Sequence, residues 1–171
     1  LTIEAEQALA QAQMVLVITH RIQLAKALCH RFGIDHIEEI YDSETKGILG
    51  YGLCIDSLHP YSHARFNPDD WEEALVILDE CEQVLWHLLN ASTCKYYRVP
   101  ILENLTQLIQ TVIESEGRII LSDADLSAIS LNYFERLADL PLQRYIVENQ
   151  YNPNLGQRIL YTDDSPQALL N

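Results

Sequence analysis

The segment Leu75-Val76-Ile77-Leu78-Asp79-Glu80 constrains the fold more than any other, because four consecutive aliphatic residues stop at two adjacent carboxylates. A short, wholly apolar run with β-branched members is the pattern of a strand buried on both faces, as in a parallel sheet covered by helices. Open sheets of that kind place their ligands beyond the carboxyl ends of the strands, which is where Asp79 and Glu80 fall. Two roles suit acidic residues there. One is to hold a hard cation through oxygen; the other is to cap the helix that follows.

Three further runs share the pattern. Met14-Val15-Leu16-Val17-Ile18 ends in Thr19-His20-Arg21, after which Leu24, Ala25, Leu28 and Phe32 recur at helical spacing until Gly33 stops the turn. Leu53-Cys54-Ile55 ends in Asp56-Ser57-Leu58-His59, and Arg118-Ile119-Ile120-Leu121 ends in Ser122-Asp123-Ala124-Asp125. Helices are expected over Thr2 to about Gln13, which is rich in Ala, Glu and Gln, and after Glu80, where Val84, Leu85, Leu88 and Leu89 recur. Leu102, Leu105, Ile109 and Val112 predict a longer amphipathic helix ending near Gly117, and Leu126 to Leu140 a last one broken by Pro141. Strands alternating with helices predict an α/β domain with a mostly parallel sheet flanked by helices. Arg144-Tyr145-Ile146-Val147 and Arg158-Ile159-Leu160-Tyr161, around Asn152-Pro153-Asn154-Leu155-Gly156, predict a C-terminal β-hairpin. Between Asp35 and Gly52 the pattern is weak, with Glu38, Glu39, Asp42 and Glu44 on an exposed strand or loop.

The 171 residues fit one domain spanning 1–171, and the 48% hydrophobic content is enough for a packed core. A formal charge of −14 argues against a free-standing binder of nucleic acid driven by electrostatics, since such binding works by Lys and Arg displacing counterions. No apolar run approaches the ~20 residues that cross a bilayer, and Leu1-Thr2-Ile3-Glu4 lacks the features of a secretory signal; a cytoplasmic protein without a membrane partner is expected. Cys29, Cys54, Cys81 and Cys94 form no CxxC pair and are expected to be buried free thiols. His59 and His63 are four apart, but Pro60 between them makes the stretch a loop rather than a ligand-bearing helix face. Gly47, Gly50 and Gly52 match neither GxxxxGK[ST] nor GxGxxG.

Taken together the segments resemble part of a superfamily 2 helicase motor domain, a RecA-like fold of the P-loop NTPase type. Val15-Leu16-Val17-Ile18-Thr19-His20-Arg21 with Leu24-Ala25 resembles motif Ia, and Ile55-Asp56-Ser57-Leu58 the strand-end motif after it. Asp79-Glu80-Cys81-Glu82 resembles motif II, the Walker B element, and Ser122-Asp123-Ala124 stands where motif III has Ser-Ala-Thr. The stretches Gly50 to His59, Asp79 to Leu89 and Gly117 to Ser127 resemble the helicase-like region of cyanobacterial RepA-type plasmid replication proteins, and the plan is similar to herpesvirus origin-binding helicases. The resemblance covers about Met14 to Asn149 and takes in motifs Ia to III.

The resemblance implies Asp79 as the Mg²⁺ ligand and cofactor-binding residue for ATP, and Glu80 as the residue activating the water that attacks the γ-phosphate. It implies Asp123 for coupling nucleotide state to DNA grip, and Thr19, Arg21 and Ser57 for contact with single-stranded or origin DNA, with a second helicase domain as partner. The residues alone also allow Arg21 as a solvated helix start, Ser57 as a cap, and Asp123 as a cap beside an exposed Asp125. Glu82 stands where His or Asp is common in motif II, and motif III lacks its threonine. The Walker A segment is expected before the Met14 strand, yet the thirteen residues there contain neither Lys nor Gly. The chain by itself is therefore expected to show little ATP hydrolysis, since the Walker A backbone and Lys cradle the phosphates. Two rival readings are a catalytically degenerate RecA-like module that binds replication proteins, and a metal-dependent phosphodiesterase built on Asp79, Glu80, Asp123 and Asp125.

Overall fold

A computed structural model describes residues 1–40, 47–140 and 142–148. Five parallel strands form one sheet in the order β2-β3-β1-β4-β5. The strands are β1 (Val15–Thr19), β2 (Asp35–His36), β3 (Gly50–Cys54), β4 (Leu75–Asp79) and β5 (Arg118–Ser122). The helices are α1 (Thr2–Ala10), α2 (Ile22–Phe32), α3 (Cys81–Asn90), α4 (Arg98–Glu114) and α5 (Ala128–Ala138).

The apolar runs explain the layers. In β1 every residue is buried, and in β4 all four aliphatics are, so both strands need cover on both sides. Alternation divides them. Leu16, Ile18, Val76 and Leu78 point into a core completed by Val84 and Leu88 of α3, Ile101, Leu105 and Ile109 of α4, and Phe134 of α5. Val15, Val17, Leu75 and Ile77 point into a second core with Ala5 and Ala8 of α1 and Leu28, Cys29 and Phe32 of α2. Each fully buried aliphatic side chain contributes about 1.5–3 kcal/mol, and a shift of one residue in register would send each set to the wrong face. Register is fixed by direct pairing: Val15 lies between Gly50 and Leu75, and Ile18 between Leu53 and Leu78.

Local chemistry sets the ends. Gly33 adopts a left-handed φ of 75° where α2 stops, the conformation glycine takes at least cost. Gly50 has φ 104°, and a side chain there would collide with the Val15 carbonyl, so glycine lets the chain enter β3 tight against β1.

Several boundaries differ from the sequence reading. The helix expected over Thr2 to Gln13 ends at Ala10. β3 begins three residues earlier than Leu53, and Ile55–Ser57 leaves the strand as a 3-10 turn. Glu38 and Glu39 lie in a 3-10 turn, Ile37–Glu39, while Asp42 and Glu44 lie outside the described residues. The first arm of the expected C-terminal hairpin is not a strand: residues 142–148 are irregular, with Tyr145, Ile146 and Val147 exposed. An extended segment becomes a strand only when a neighbour takes its backbone groups, and its expected partner, Arg158 to Tyr161, lies outside the described residues.

Candidate functional site

Because all five strands run the same way, the loops after β1, β3, β4 and β5 emerge along one edge of the sheet. That edge gathers Thr19-His20-Arg21, Asp56-Ser57, Asp79-Glu80 and Ser122-Asp123.

Asp79 is half-buried at the end of β4, paired in register with Ser122. Glu80 follows with φ 53°, an uncommon left-handed conformation for a non-glycine residue. Backbone strain of this kind collects at functional positions and is held there by its surroundings. The carboxylate of Glu80 is half-exposed, and its Oε2 lies 3.5 Å from Nδ1 of His20. The His20 side chain is only 8% exposed, and neither ring nitrogen makes a hydrogen bond. Burial, then the nearby Arg21 charge, lowers the His20 pKa, with Glu80 opposing.

Thr19 is fully buried. Its hydroxyl donates to the Arg21 carbonyl at 2.9 Å and accepts from the Arg21 N–H at 3.3 Å. The side chain thus shapes the turn that presents Arg21, which is exposed at the start of α2. Ser57 is half-buried, and its carbonyl accepts from the Ser62 hydroxyl and the His59 N–H.

Asp123 has two partners. Its Oδ2 accepts from the Glu82 N–H at 3.0 Å and its Oδ1 from the Asp125 N–H at 2.9 Å. Glu82 in turn accepts from the Ser127 N–H at 2.7 Å, tying the start of α5 to the start of α3. Burial works against ionisation of Glu82, but hydrogen bonds from Ser127 and Ser130 outweigh it and lower its pKa.

A second cluster, unread in the sequence, lies at the same edge. Asp56 follows β3, His87 sits on the last turns of α3, and Cys94 lies in the turn between α3 and α4. Nε2 of His87 is 3.1 and 3.0 Å from the two oxygens of Asp56. The Cys94 thiol donates to Oδ1 of Asp56 at 3.0 Å, and the Thr93 hydroxyl donates to the same oxygen. Burial favours the neutral acid at Asp56, yet the bonds from Thr93, Cys94 and His87 prevail and lower its pKa. Burial and the adjacent carboxylate push the Cys94 thiol up to about 12. Among the described residues, the three-ligand group of His, Cys, Asp or Glu whose donor atoms lie within 4.8 Å of one another is Asp56, His87 and Cys94, not the carboxylates Asp79, Glu80, Asp123 and Asp125. Of this cluster only Asp56 stood in a strand-end motif; the other two come from separate elements with no local spacing to betray them.

The four cysteines are free and buried. His59 stacks on Tyr97, at the start of α4, with centroids 4.3 Å apart and takes the Tyr61 N–H on Nδ1, so His59 is engaged by its own loop and by the residue before α4. No helix among the described residues is long and apolar enough to cross a membrane.

No family model and no solved structure matches the chain. Over 160 residues, 91% of its length, the chain is 46% identical to an uncharacterized protein of Picosynechococcus sp. (strain ATCC 27264 / PCC 7002 / PR-6). The match takes in 16% of that protein, so the chain spans only a small part of the length of the curated relative it matches.

Proposed function

We propose that this chain is part of the first RecA-like motor domain of an ATP-dependent DNA helicase acting in plasmid replication initiation. The observation that carries the reading is the placement of Asp79 and Glu80 at the carboxyl end of β4, inside an all-parallel sheet, beside the loops that bear Arg21, Ser57 and Asp123. Asp79 and its register partner Ser122 are oxygen donors of the kind a hard dication such as Mg²⁺ takes. A bound Mg²⁺ would neutralise charge on the phosphates of ATP. Glu80, half-exposed and held near His20, is the group to take a proton from the attacking water. Asp123 joins the loop after β5 to α3, so a shift at either is felt at the other.

ATP also needs a phosphate cradle, and the geometry of the sheet limits where one can be. Gly47 precedes β3 and Gly50 begins it, at the sheet edge opposite Asp79. A further strand carrying a phosphate loop can join the described sheet beside β2 or beside β5. At a spacing of about 4.8 Å per strand, the position beyond β5 is roughly 10 Å from β4 and the position beyond β2 roughly 19 Å. Only the first brings phosphates to Asp79. Ile119, Ile120 and Leu121 of β5 are half-buried, unlike their counterparts in β1 and β4, as expected of a strand that lacks a neighbour. The relative matched over 16% of its length has ample chain for such a strand and for a second motor domain.

The test uses the natural polypeptide in which this chain occurs. DNA-stimulated ATP hydrolysis is expected, with Glu80→Gln lowering kcat by about a hundredfold or more. Turnover that Glu80→Gln leaves intact would remove Glu80 from the reaction and the motor reading with it.

The groove between α3 and α5 favours a second reading, a degenerate module that binds another replication protein. It encloses about 680 Å³ and is lined by Leu85, Trp86, Leu89, Leu102, Ile129 and Tyr133, of which Trp86 and Ile129 are largely exposed. A longer polypeptide that neither hydrolyses ATP nor binds DNA, but loses a replication partner on Ile129→Asp, would establish it.

A further inference from the structure

We infer that Asp56, His87, Cys94 and His20 form a binding site for a zinc-type transition-metal dication. The inference does not depend on the motor reading.

The first support is convergence. A carboxylate, an imidazole and a thiol arrive from the end of β3, from α3 and from the α3–α4 turn, with donor atoms within 4.8 Å of one another. Around a tetrahedral Zn²⁺, bonds of 2.0–2.3 Å hold donor atoms roughly 3.3–3.8 Å apart. The contacts of 3.0–3.1 Å from Asp56 to His87 and Cys94 need to open by only a few tenths of an ångström. Cys94 is fully buried, and Asp56 and His87 are half-buried, so the donors are held by packing rather than waving in solvent.

The second support is independent of that cluster. The His20 side chain is 8% exposed and neither ring nitrogen is hydrogen-bonded, Nδ1 having only the Glu80 carboxylate at 3.5 Å, and its ring centroid lies 6.3 Å from that of His87. A buried polar group without a hydrogen bond costs about 1–3 kcal/mol, and native structures rarely leave one so. The bonds within the Asp56 cluster satisfy His87 and Cys94 but do nothing for His20. A metal would: His20 lies outside the group of donors already within 4.8 Å of one another, and a turn of its ring toward His87 would bring Nε2 to a fourth position while Nδ1 stays toward the Glu80 carboxylate, now 3.5 Å away. A ligating histidine whose other nitrogen meets a carboxylate is the usual arrangement around zinc.

The donor set chooses the metal. A thiolate with two imidazoles and one carboxylate suits Zn²⁺ or Co²⁺ rather than Mg²⁺ or Ca²⁺, which take oxygen alone. Four protein ligands make the site closed and structural. It would join the ends of β1 and β3 to α3 and to the α3–α4 turn. On binding, the Cys94 S–H bond breaks, the sulfur electron pair goes to the metal and one proton leaves to solvent, so affinity rises with pH.

The experiment is cobalt and zinc titration of the chelator-treated chain. One Co²⁺ per chain is expected, with tetrahedral d–d bands and a thiolate-to-cobalt charge-transfer band, both displaced by Zn²⁺. Cys94→Ser should abolish the charge-transfer band, and His87→Gln and His20→Gln should each weaken zinc binding roughly tenfold or more. Circular dichroism checks that each variant is folded, and one folded variant suffices to decide. No stoichiometric cobalt binding by the folded chain, or a charge-transfer band that survives Cys94→Ser, would overturn the site.

Discussion

Oδ2 of Asp123 accepts the backbone N–H of Glu82 at 3.0 Å across 41 residues of sequence, so the loop after β5 caps the first turn of α3. The same carboxylate holds the Asp125 N–H on its other oxygen. Asp123→Ala frees both donors and should cost about 1 kcal/mol, the usual value of a lost helix cap, lowering Tm by roughly 2–4 °C for a chain of this size. Asp123→Asn keeps one acceptor oxygen and should fall between. Thermal unfolding followed by circular dichroism measures both, and an unchanged Tm for Asp123→Ala would mean the cap does not form.

Acid should weaken the fold through its histidines. Burial lowers the pKa of His20, His36 and His59 below 6.5, with neighbouring carboxylates opposing in each case. The unfolded chain then binds protons more readily than the native one, so stability is unaffected above 6.5 and falls as pH drops through that value. His36 is buried, and its Nδ1 accepts the Glu38 N–H, which requires the neutral ring. His36→Asn offers an oxygen in place of Nδ1 and cannot titrate. Urea midpoints between pH 7.5 and 5.5, taken in chelator, should fall less steeply for this variant than for the wild type; equal slopes would exclude His36 from the effect.

On the proposed motor reading, Arg21 and Thr19 should separate cleanly in DNA binding by the natural polypeptide that holds this chain. Arg21 is exposed, and removing one phosphate contact makes the salt dependence shallower by about 0.7 in the log–log slope for a single strand. Arg21→Ala should therefore weaken binding and flatten the slope. Thr19→Val loses the two hydrogen bonds of the turn but leaves the charge in place, so it should weaken binding with the slope unchanged. Fluorescence anisotropy across a salt series distinguishes them, and an unchanged slope for Arg21→Ala would place that residue off the nucleic acid.

What the sequence discloses of this fold depends on how far apart the determinants lie. Val15 to Ile18, Leu75 to Leu78 and Arg118 to Leu121 declare themselves as strands because the constraint on each run is local: both faces must be apolar. Gly33 marks the end of α2 for an equally local reason. β2 leaves no such trace, since Asp35 and His36 are a strand only by pairing with Tyr51 and Gly52. The misreading of Arg144 to Val147 is the converse, an apolar extended pattern without a described neighbour. At the site, Thr19 has the position of an exposed strand-end residue, but its hydroxyl turns back to its own loop. Asp56, His87 and Cys94 were hidden because three elements have to meet before their chemistry exists.

The strand order also sets a clock. β1 pairs with β3 and β4, both of which follow it in the chain. At a synthesis rate of about 5–20 residues per second, roughly 60 residues separate β1 from β4, so the central strand waits some 3–12 s for its second partner. Until then that edge of β1 has no strand beside it, and the cover for its apolar residues comes from the helices near it in sequence, α1 and α2.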